Sequence, residues 1–229
     1  MKSPTHLPVL STRTAGLVCF WAAVLGAASG VFLVLIEPAV PEDQWSYPLD
    51  VAGFAAIQAW FAVQHVGLLL GLLALQWTGA AAGSTLGRRG HAIAAASMAA
   101  LALTELAAIA AAPNTTDSVS VGVLGAAYGL VTVVLGAGLV MEGIAVLKAK
   151  AWQGWRRWIP LMLGVWVFVP MLPALALSFT GARFAIAGWM FLFAALGWAL
   201  MGHGEGVQKN QNSRGVVRGR HPITPEPAP

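Results

Sequence analysis

FAAIQAWFAVQHVGLLLGLLALQW, residues 54–77, runs for 24 residues with no charged side chain, yet it holds three glutamines and a histidine. About 20 apolar residues at a ~1.5 Å rise cross a ~30 Å hydrocarbon core, so an apolar run of this length reads as a transmembrane helix. Its polar residues then need partners inside a bundle, because a polar stripe is unfavourable against lipid.

Five further runs of the same kind lie along the chain, giving six in all at about 15–36, 51–76, 91–112, 119–147, 159–179 and 184–202. The whole chain of 229 residues is 58% hydrophobic and 10% charged, far from the roughly one-quarter charged residues of soluble domains. The fold expected is therefore all-α, a polytopic six-transmembrane-helix bundle. Residues 1–14 form a cytoplasmic N-terminal segment, 15–202 the membrane domain, and 203–229 a disordered basic cytoplasmic tail. The first run continues through GVFLVLIEP, longer than the ~7–15-residue apolar core of a signal peptide, so it reads as a retained helix.

The distribution of charge sets the threading. Lys2 and Arg13, Arg88 and Arg89, Lys148, Lys150, Arg156 and Arg157, and Lys209, Arg214, Arg218 and Arg220 all fall on one side of such a bundle. Arg183 alone falls on the other, together with Glu37, Glu42, Asp43, Asp50 and Asp117. The positive-inside rule then places both termini in the cytoplasm of a cell with the chain in its cytoplasmic membrane. Trp77, Trp152, Trp155 and Trp158 near one boundary and Trp45 near the other fit interfacial belts. KAKAWQGWRRW, between two spans, reads as an interfacial anchor and not as a nucleic-acid patch. Anionic lipid is the partner expected at Arg88, Arg89, Arg156 and Arg157. A membrane-protein partner or a second copy of the chain is the other class of partner that this reading allows.

Helix packing in lipid relies on small residues and shared hydrogen bonds. Gly122, Gly129, Gly136 and Gly143 recur every seven residues in the fourth run, with Gly125 and Gly129 forming a GxxxG. The spacing predicts a packing seam along that whole helix. Gly26 with Gly30, and Gly67 with Gly71, repeat the motif. In the fifth run Pro160 falls in the first turn, where a missing N–H is harmless, whereas Pro170 and Pro173 fall inside and predict a kink.

Counting at ~100° per residue, Gln58, His65 and Gln76 share one stripe of the second helix and Gln64 points elsewhere. Glu105 lies ~12 Å inside the third helix, at a depth comparable with Gln58 and with Tyr128 of the fourth. Gln58, His65, Glu105 and Tyr128 are therefore the candidate intramembrane polar site, with Ser97 and Thr104 nearby. By rise alone His65 sits ~9 Å deeper than Glu105, too far for direct contact. Glu142 lies near the cytoplasmic boundary, where Lys148 or Arg88 is the expected partner.

Other chemistries lack their residues. The single cysteine, Cys19, excludes an intramolecular disulfide and multi-cysteine metal sites, and reads as a buried hydrophobe. His65 is the only deep histidine, so a bis-histidine haem is not expected, and no clustered ligand set suggests a metal. No phosphate-binding glycine loop and no intramembrane Ser–His nucleophile pair is visible. No cofactor, no catalytic residue and no nucleic-acid partner is expected. The function expected is that of a non-enzymatic membrane component or partner subunit, with a small-solute or proton-coupled transporter using His65 and Glu105 as the alternative.

The order EPAVPEDQWSYPLD, FAVQHVGLLLGL, GRRG and GWRRWIPLMLGVWVFVPMLPAL resembles multi-pass membrane proteins encoded by high-GC actinobacteria with alanine-rich sequences. The resemblance covers nearly the whole membrane region. It implies a cytoplasmic-membrane location and implies no catalytic residue.

Overall fold

The computed structural model of the protein describes residues 10–218, with side chains described through Gly202. The described residues are all-helical, and six helices among them are long and apolar enough to cross a membrane: Thr12–Leu35, Val51–Trp77, Thr85–Ala111, Val119–Ala149, Gly154–Leu177 and Phe179–Gly202. We label the α-helices α1 (Thr12–Leu35), α2 (Val51–Trp77), α3 (Thr85–Ala108), α4 (Val119–Ala149), α5 (Ile159–Trp166), α6 (Leu172–Leu177) and α7 (Phe179–Arg218). The fifth span consists of a 3-10 turn at Gly154–Trp158, α5, a π-helical turn at Val167–Met171, and α6.

Short polar residues mark where the helices begin. Ser11, Asp50, Ser84 and Ser118 cap α1 to α4, each side chain accepting from the backbone N–H three residues on. Ser178 does the same for Gly181 at the start of α7, at 3.0 Å. Such a cap satisfies one of the four N–H groups that a helix start leaves unbonded. In an apolar chain these caps decide where each span begins.

Successive helices pack antiparallel in a ring, α1 to α2 to α3 to α4 to α5 to α7, and α7 closes the ring against α1. At three crossings, α1 with α7, α3 with α4 and α4 with α5, the backbones nearly touch; at the last a Cβ on Gly143 would run into the Leu161 nitrogen. A Cβ on Gly197 would lie 2.6 Å from the Gly16 carbonyl oxygen, and one on Gly138 would lie 2.7 Å from the Ala94 nitrogen. Inside the ring, Leu68, Leu72, Leu75, Met98, Leu135, Leu139, Leu163, Met190, Phe193, Leu196 and Leu200 are fully buried. Trp21, Phe32, Val63, Leu103, Val123, Leu130, Phe191 and Trp198 point outward and are exposed. Large apolar residues on the outside suit a hydrocarbon solvent.

One end of the bundle carries the acidic connection 36–50 and the turn 112–118; we call it the acidic end. The other, with the turns 78–84 and 150–158, is the basic end. The connection 36–50 is an irregular cap, exposed at Glu37, Glu42 and Asp43, and it is pinned to the turn 112–118. The backbone N–H of Trp45 donates to the Asn114 backbone carbonyl at 2.9 Å, that of Thr116 donates to the Asp43 backbone carbonyl at 2.7 Å, and Ser46 is fully buried. Tyr47–Pro48 is a cis peptide bond, and the Tyr47 ring stands edge-on to Phe179 at 5.3 Å.

The kink predicted in the fifth span takes the form of the π-helical turn around Pro170. Two indoles brace this region: Trp189 donates to the Leu163 carbonyl at 2.9 Å, and Trp166 to the Ala185 carbonyl at 2.8 Å. Trp189 of α7 thus bonds the fifth-span backbone before the break, and Trp166 of the fifth span bonds the backbone of α7.

The α4 glycine seam is a partial correction. Gly136 and Gly143 are buried against Val167 and Leu161, but a Cβ on Gly122, Gly125 or Gly129 would meet nothing within 4 Å. Past the π-helical turn α6 packs on α7, which leaves this glycine face of α4 uncovered within this chain. The backbone of α7 is helical through Arg218, into the tail expected from residue 203. Residues 1–9 and 219–229, the outer parts of the two terminal segments, lie outside the described residues.

Candidate functional site

Three helices bring Gln58, Glu105 and Tyr128 together at the acidic half of the bundle. Gln58 lies two turns into α2, Glu105 one turn before the end of α3, and Tyr128 in the third turn of α4. The Tyr128 hydroxyl donates to Glu105 Oε2 at 2.7 Å, and Gln58 Nε2 donates to the same oxygen at 2.9 Å. Gln58 Nε2 also lies 3.1 Å from the Tyr128 hydroxyl oxygen, closing a triangle. Gln58 and Glu105 are buried. Trp45 of the acidic cap packs beside this triangle, its ring 6.5 Å from that of Tyr128.

His65 joins the group directly, correcting the expectation that it lies too deep. Its Nδ1 is 3.9 Å from Glu105 Oε1 and 2.7 Å from the Phe61 carbonyl oxygen, four residues earlier. The reason is side-chain direction. In a helix the Cα–Cβ bonds tilt toward the N-terminus. α2 and α3 run antiparallel, so His65 leans toward the acidic end while Glu105 leans away from it. The two side chains close a gap that rise along the axes leaves open. Glu105 therefore divides its oxygens, one facing Gln58 and Tyr128 and the other facing His65.

Arg183 is the residue that sequence reasoning did not place here. Four residues into α7, its guanidinium lies over the Phe179 ring at 4.9 Å and the Phe61 ring at 5.9 Å. It makes no hydrogen bond or ion pair with Glu105 or Tyr128, and its charge is felt there only through space. The signal was present: Arg183 is the lone cation among the acids of its side, and an ionisable residue at a span's edge is a site candidate in its own right. With Arg183 the centre draws on α2, α3, α4 and α7.

Other polar residues went elsewhere. Gln76 is exposed, so the inward stripe of α2 ends before it. Gln64, off that stripe, is also buried: Nε2 lies 2.8 Å from Met190 Sδ, and the amide fills the space over Gly26. α2 sits between α1 and α3, so it has two buried faces and one stripe does not describe it. The Thr104 hydroxyl donates to the Ala100 carbonyl of its own helix at 2.9 Å. Ser97 is buried, without a hydrogen bond to the centre. Cys19 is fully buried, with Sγ 3.5 Å from the Phe193 carbonyl oxygen.

Glu142 is paired differently from the expectation. Its Oε1 lies 3.1 Å from His91 Nδ1, both residues being buried between α3 and α4 at the basic end. Arg88 instead donates to the Gly83 carbonyl and to Thr85, back toward its own turn. Lys148 is exposed. Among the described residues no three of His, Cys, Asp and Glu converge as a metal ligand set would.

No protein-family model, no curated protein and no solved structure matches this chain. Its six long apolar helices are consistent with a multi-pass membrane protein.

Proposed function

We propose that the chain is a non-enzymatic component of the cytoplasmic membrane, a partner subunit or scaffold, whose Glu105 centre ties four helices into one rigid unit. The observation that carries this reading is the closed triangle of Gln58, Glu105 and Tyr128. Glu105 Oε2 receives two donors, at 2.7 and 2.9 Å, from two different helices. In hydrocarbon such bonds join helices that the hydrophobic effect alone does not hold together. Arg183 adds the countercharge from a fourth helix, and its aromatic neighbours Phe61 and Phe179 favour holding a cation there.

Both termini lie in the cytoplasm on this reading, by the charge distribution between the two ends. Arg88, Arg89 and Arg157 are exposed and Arg156 half-buried at the basic end, where anionic headgroups are their ligands. Arg157 lies 5.5 Å over the Trp158 ring, a pairing suited to the interface.

A second reading rests on His65, whose Nδ1 lies 3.9 Å from Glu105 Oε1. An imidazole beside an intramembrane carboxylate is a proton relay in kind, and the alternative is a proton-coupled or small-solute carrier.

The two readings separate by water access. In a Cys19→Ser background, single cysteines replace Gln58, His65, Glu105 and Tyr128 in turn. A membrane-impermeant thiol reagent is applied to intact membranes, and exposed residue 43 serves as the positive control. The scaffold reading expects labelling at 43 and protection at all four buried positions. Labelling at 65 and 105 from the aqueous side overturns it in favour of the carrier.

A further inference from the structure

Apart from the Glu105 centre, the bundle holds one other cluster of buried ionisable groups among the described residues, His91 with Glu142. It lies near the basic end, His91 in the second turn of α3 and Glu142 two turns before the end of α4. Glu142 is 2% exposed and His91 5%, so neither is open to water in this conformation. Glu142 Oε1 meets His91 Nδ1 at 3.1 Å, but Oε2 is buried with no hydrogen-bond partner. The two helices are locked together at this level: a Cβ on Gly90 would lie 2.6 Å from the Glu142 nitrogen and 2.7 Å from the Gly138 carbonyl oxygen.

The unpartnered oxygen discriminates between two arrangements of the same proton. If His91 is imidazolium and Glu142 carboxylate, Oε2 is an anionic oxygen with no donor, the most unfavourable group to bury. If the proton sits on Oε1 and donates to Nδ1, Oε2 becomes a neutral carbonyl oxygen, and an unpaired carbonyl is tolerated far better. Both arrangements hold one titratable proton and no net charge.

We propose that His91 and Glu142 form a proton-binding site in which a protonated Glu142 donates to an unprotonated His91 Nδ1, and that a second proton opens the basic end of the α3–α4 contact. The second proton converts the neutral pair to imidazolium beside a carboxylic acid. That leaves a net positive charge in a dry contact between two backbones already at their closest approach. Among the described side chains no anion lies at this end of the contact to balance it. The charged groups at the basic end of the elements around this contact are Arg88 and Arg89 of α3, Lys148 of α4, Lys150 of the following turn, and Arg156 and Arg157 before α5, all cations; Glu105, the one acid of α3, lies fourteen residues from His91 toward the acidic end. α2 and the turn 78–84 present none. Repulsion and hydration then act in the same direction, toward separation of the helix ends and entry of water. The inference is independent of the Glu105 centre, which shares no residue with it.

The test uses the full-length protein in lipid bilayers with ¹⁵N-labelled histidine and solid-state NMR. The His91 signals are assigned by their loss in His91→Gln. If that variant does not fold, replacing His6, His65, His203 and His221 by Gln leaves His91 as the sole histidine with its own pair unchanged. Near neutral pH, His91 is expected to show an unprotonated, hydrogen-bonded Nδ1 and a protonated Nε2. Two protonated nitrogens, the imidazolium pattern, would overturn the arrangement. For the opening, spin labels at the exposed, uncharged positions 85 and 151 in a Cys19→Ser background report the distance between the helix ends. Acidification that protonates His91 is expected to lengthen that distance, and His91→Gln to abolish the change. An unchanged distance once His91 shows both nitrogens protonated would overturn the switch.

Discussion

The hydroxyl of Tyr128 and the carboxylate of Glu105 meet at 2.7 Å across α3 and α4, with Gln58 of α2 donating to the same oxygen. This one oxygen is the point where three helices share a polar contact, and the surrounding packing has to keep it dry. Trp45 and the acidic cap lie over it from one side, and Arg183 with its two phenylalanines approaches from another. If the centre is a structural tie, its parts are coupled in stability.

Removing the phenol hydroxyl tests that coupling. Hydrogen bonds between membrane helices contribute ~0.6 kcal/mol on average and ~1.7 at most. Tyr128→Phe is expected to destabilise the protein by about 1 kcal/mol, because Gln58 still satisfies Oε2. Gln58→Leu alone is expected to do the same. The double variant is expected to lose more than the sum, since Oε2 is then buried with no donor. Reversible unfolding in mixed micelles measures all three, and strict additivity would show that the triangle is not a unit.

The two kinds of glycine in and around α4 give opposite signs. Gly138→Ala places a methyl 2.7 Å from the Ala94 backbone nitrogen, so the helices must separate and about 1–3 kcal/mol is lost. Gly129→Ala meets nothing within 4 Å, and alanine's better helix propensity gives up to about 1 kcal/mol of stabilisation. The same micelle assay reads both. A loss at Gly129 that depends on protein concentration would show that a second chain covers this face.

Gly26 and Gln64 are expected to behave as a pair. A methyl at position 26 falls on the Gln64 amide, the flexible end of a side chain that also contacts Met190. Gly26→Ala is therefore expected to cost about 1 kcal/mol by displacing that amide. In a Gln64→Ala background the same substitution is expected to cost much less. Equal losses in the two backgrounds would place the strain elsewhere.

How much of this was legible in the sequence follows from which physics acts along one helix and which acts between helices. The six spans were readable because apolar length is a property of a single segment. Gln58, Glu105 and Tyr128 could be grouped by depth, since rise is fixed and each lies a known number of residues from a span end. His65 escaped the depth argument because side-chain tilt adds in opposite directions on antiparallel helices. Gln64 and Gln76 exchanged places, exposed for buried, because the neighbours of α2 are set by ring order, which its own period does not encode. Gly122, Gly125 and Gly129 carried the heptad signal, but past the π-helical turn α6 packs on α7 and leaves them uncovered within this chain. Arg183 was placed on the acidic side, yet its approach to Glu105 depends on α7 closing the ring.

Arg183 supplies the last prediction, because it separates charge balance from hydrogen bonding within the centre. Its guanidinium acts on Glu105 through space and is held over Phe61 and Phe179. Arg183→Gln keeps a polar side chain of similar reach but removes the charge, leaving the Glu105 carboxylate without its cation. A buried charge that loses its partner is costly, whereas a neutral pair in the same place is not. Arg183→Gln is expected to destabilise the protein by about 1–3 kcal/mol, a figure reduced by the partial exposure of the arginine. Glu105→Gln, which keeps the shape and an acceptor for Tyr128, is expected to recover much of that loss when combined with Arg183→Gln. Unfolding of the two single variants and the double variant in mixed micelles closes the cycle. No recovery in the double variant would mean that Arg183 acts through its aromatic contacts alone, and that the charge of Glu105 is balanced from elsewhere.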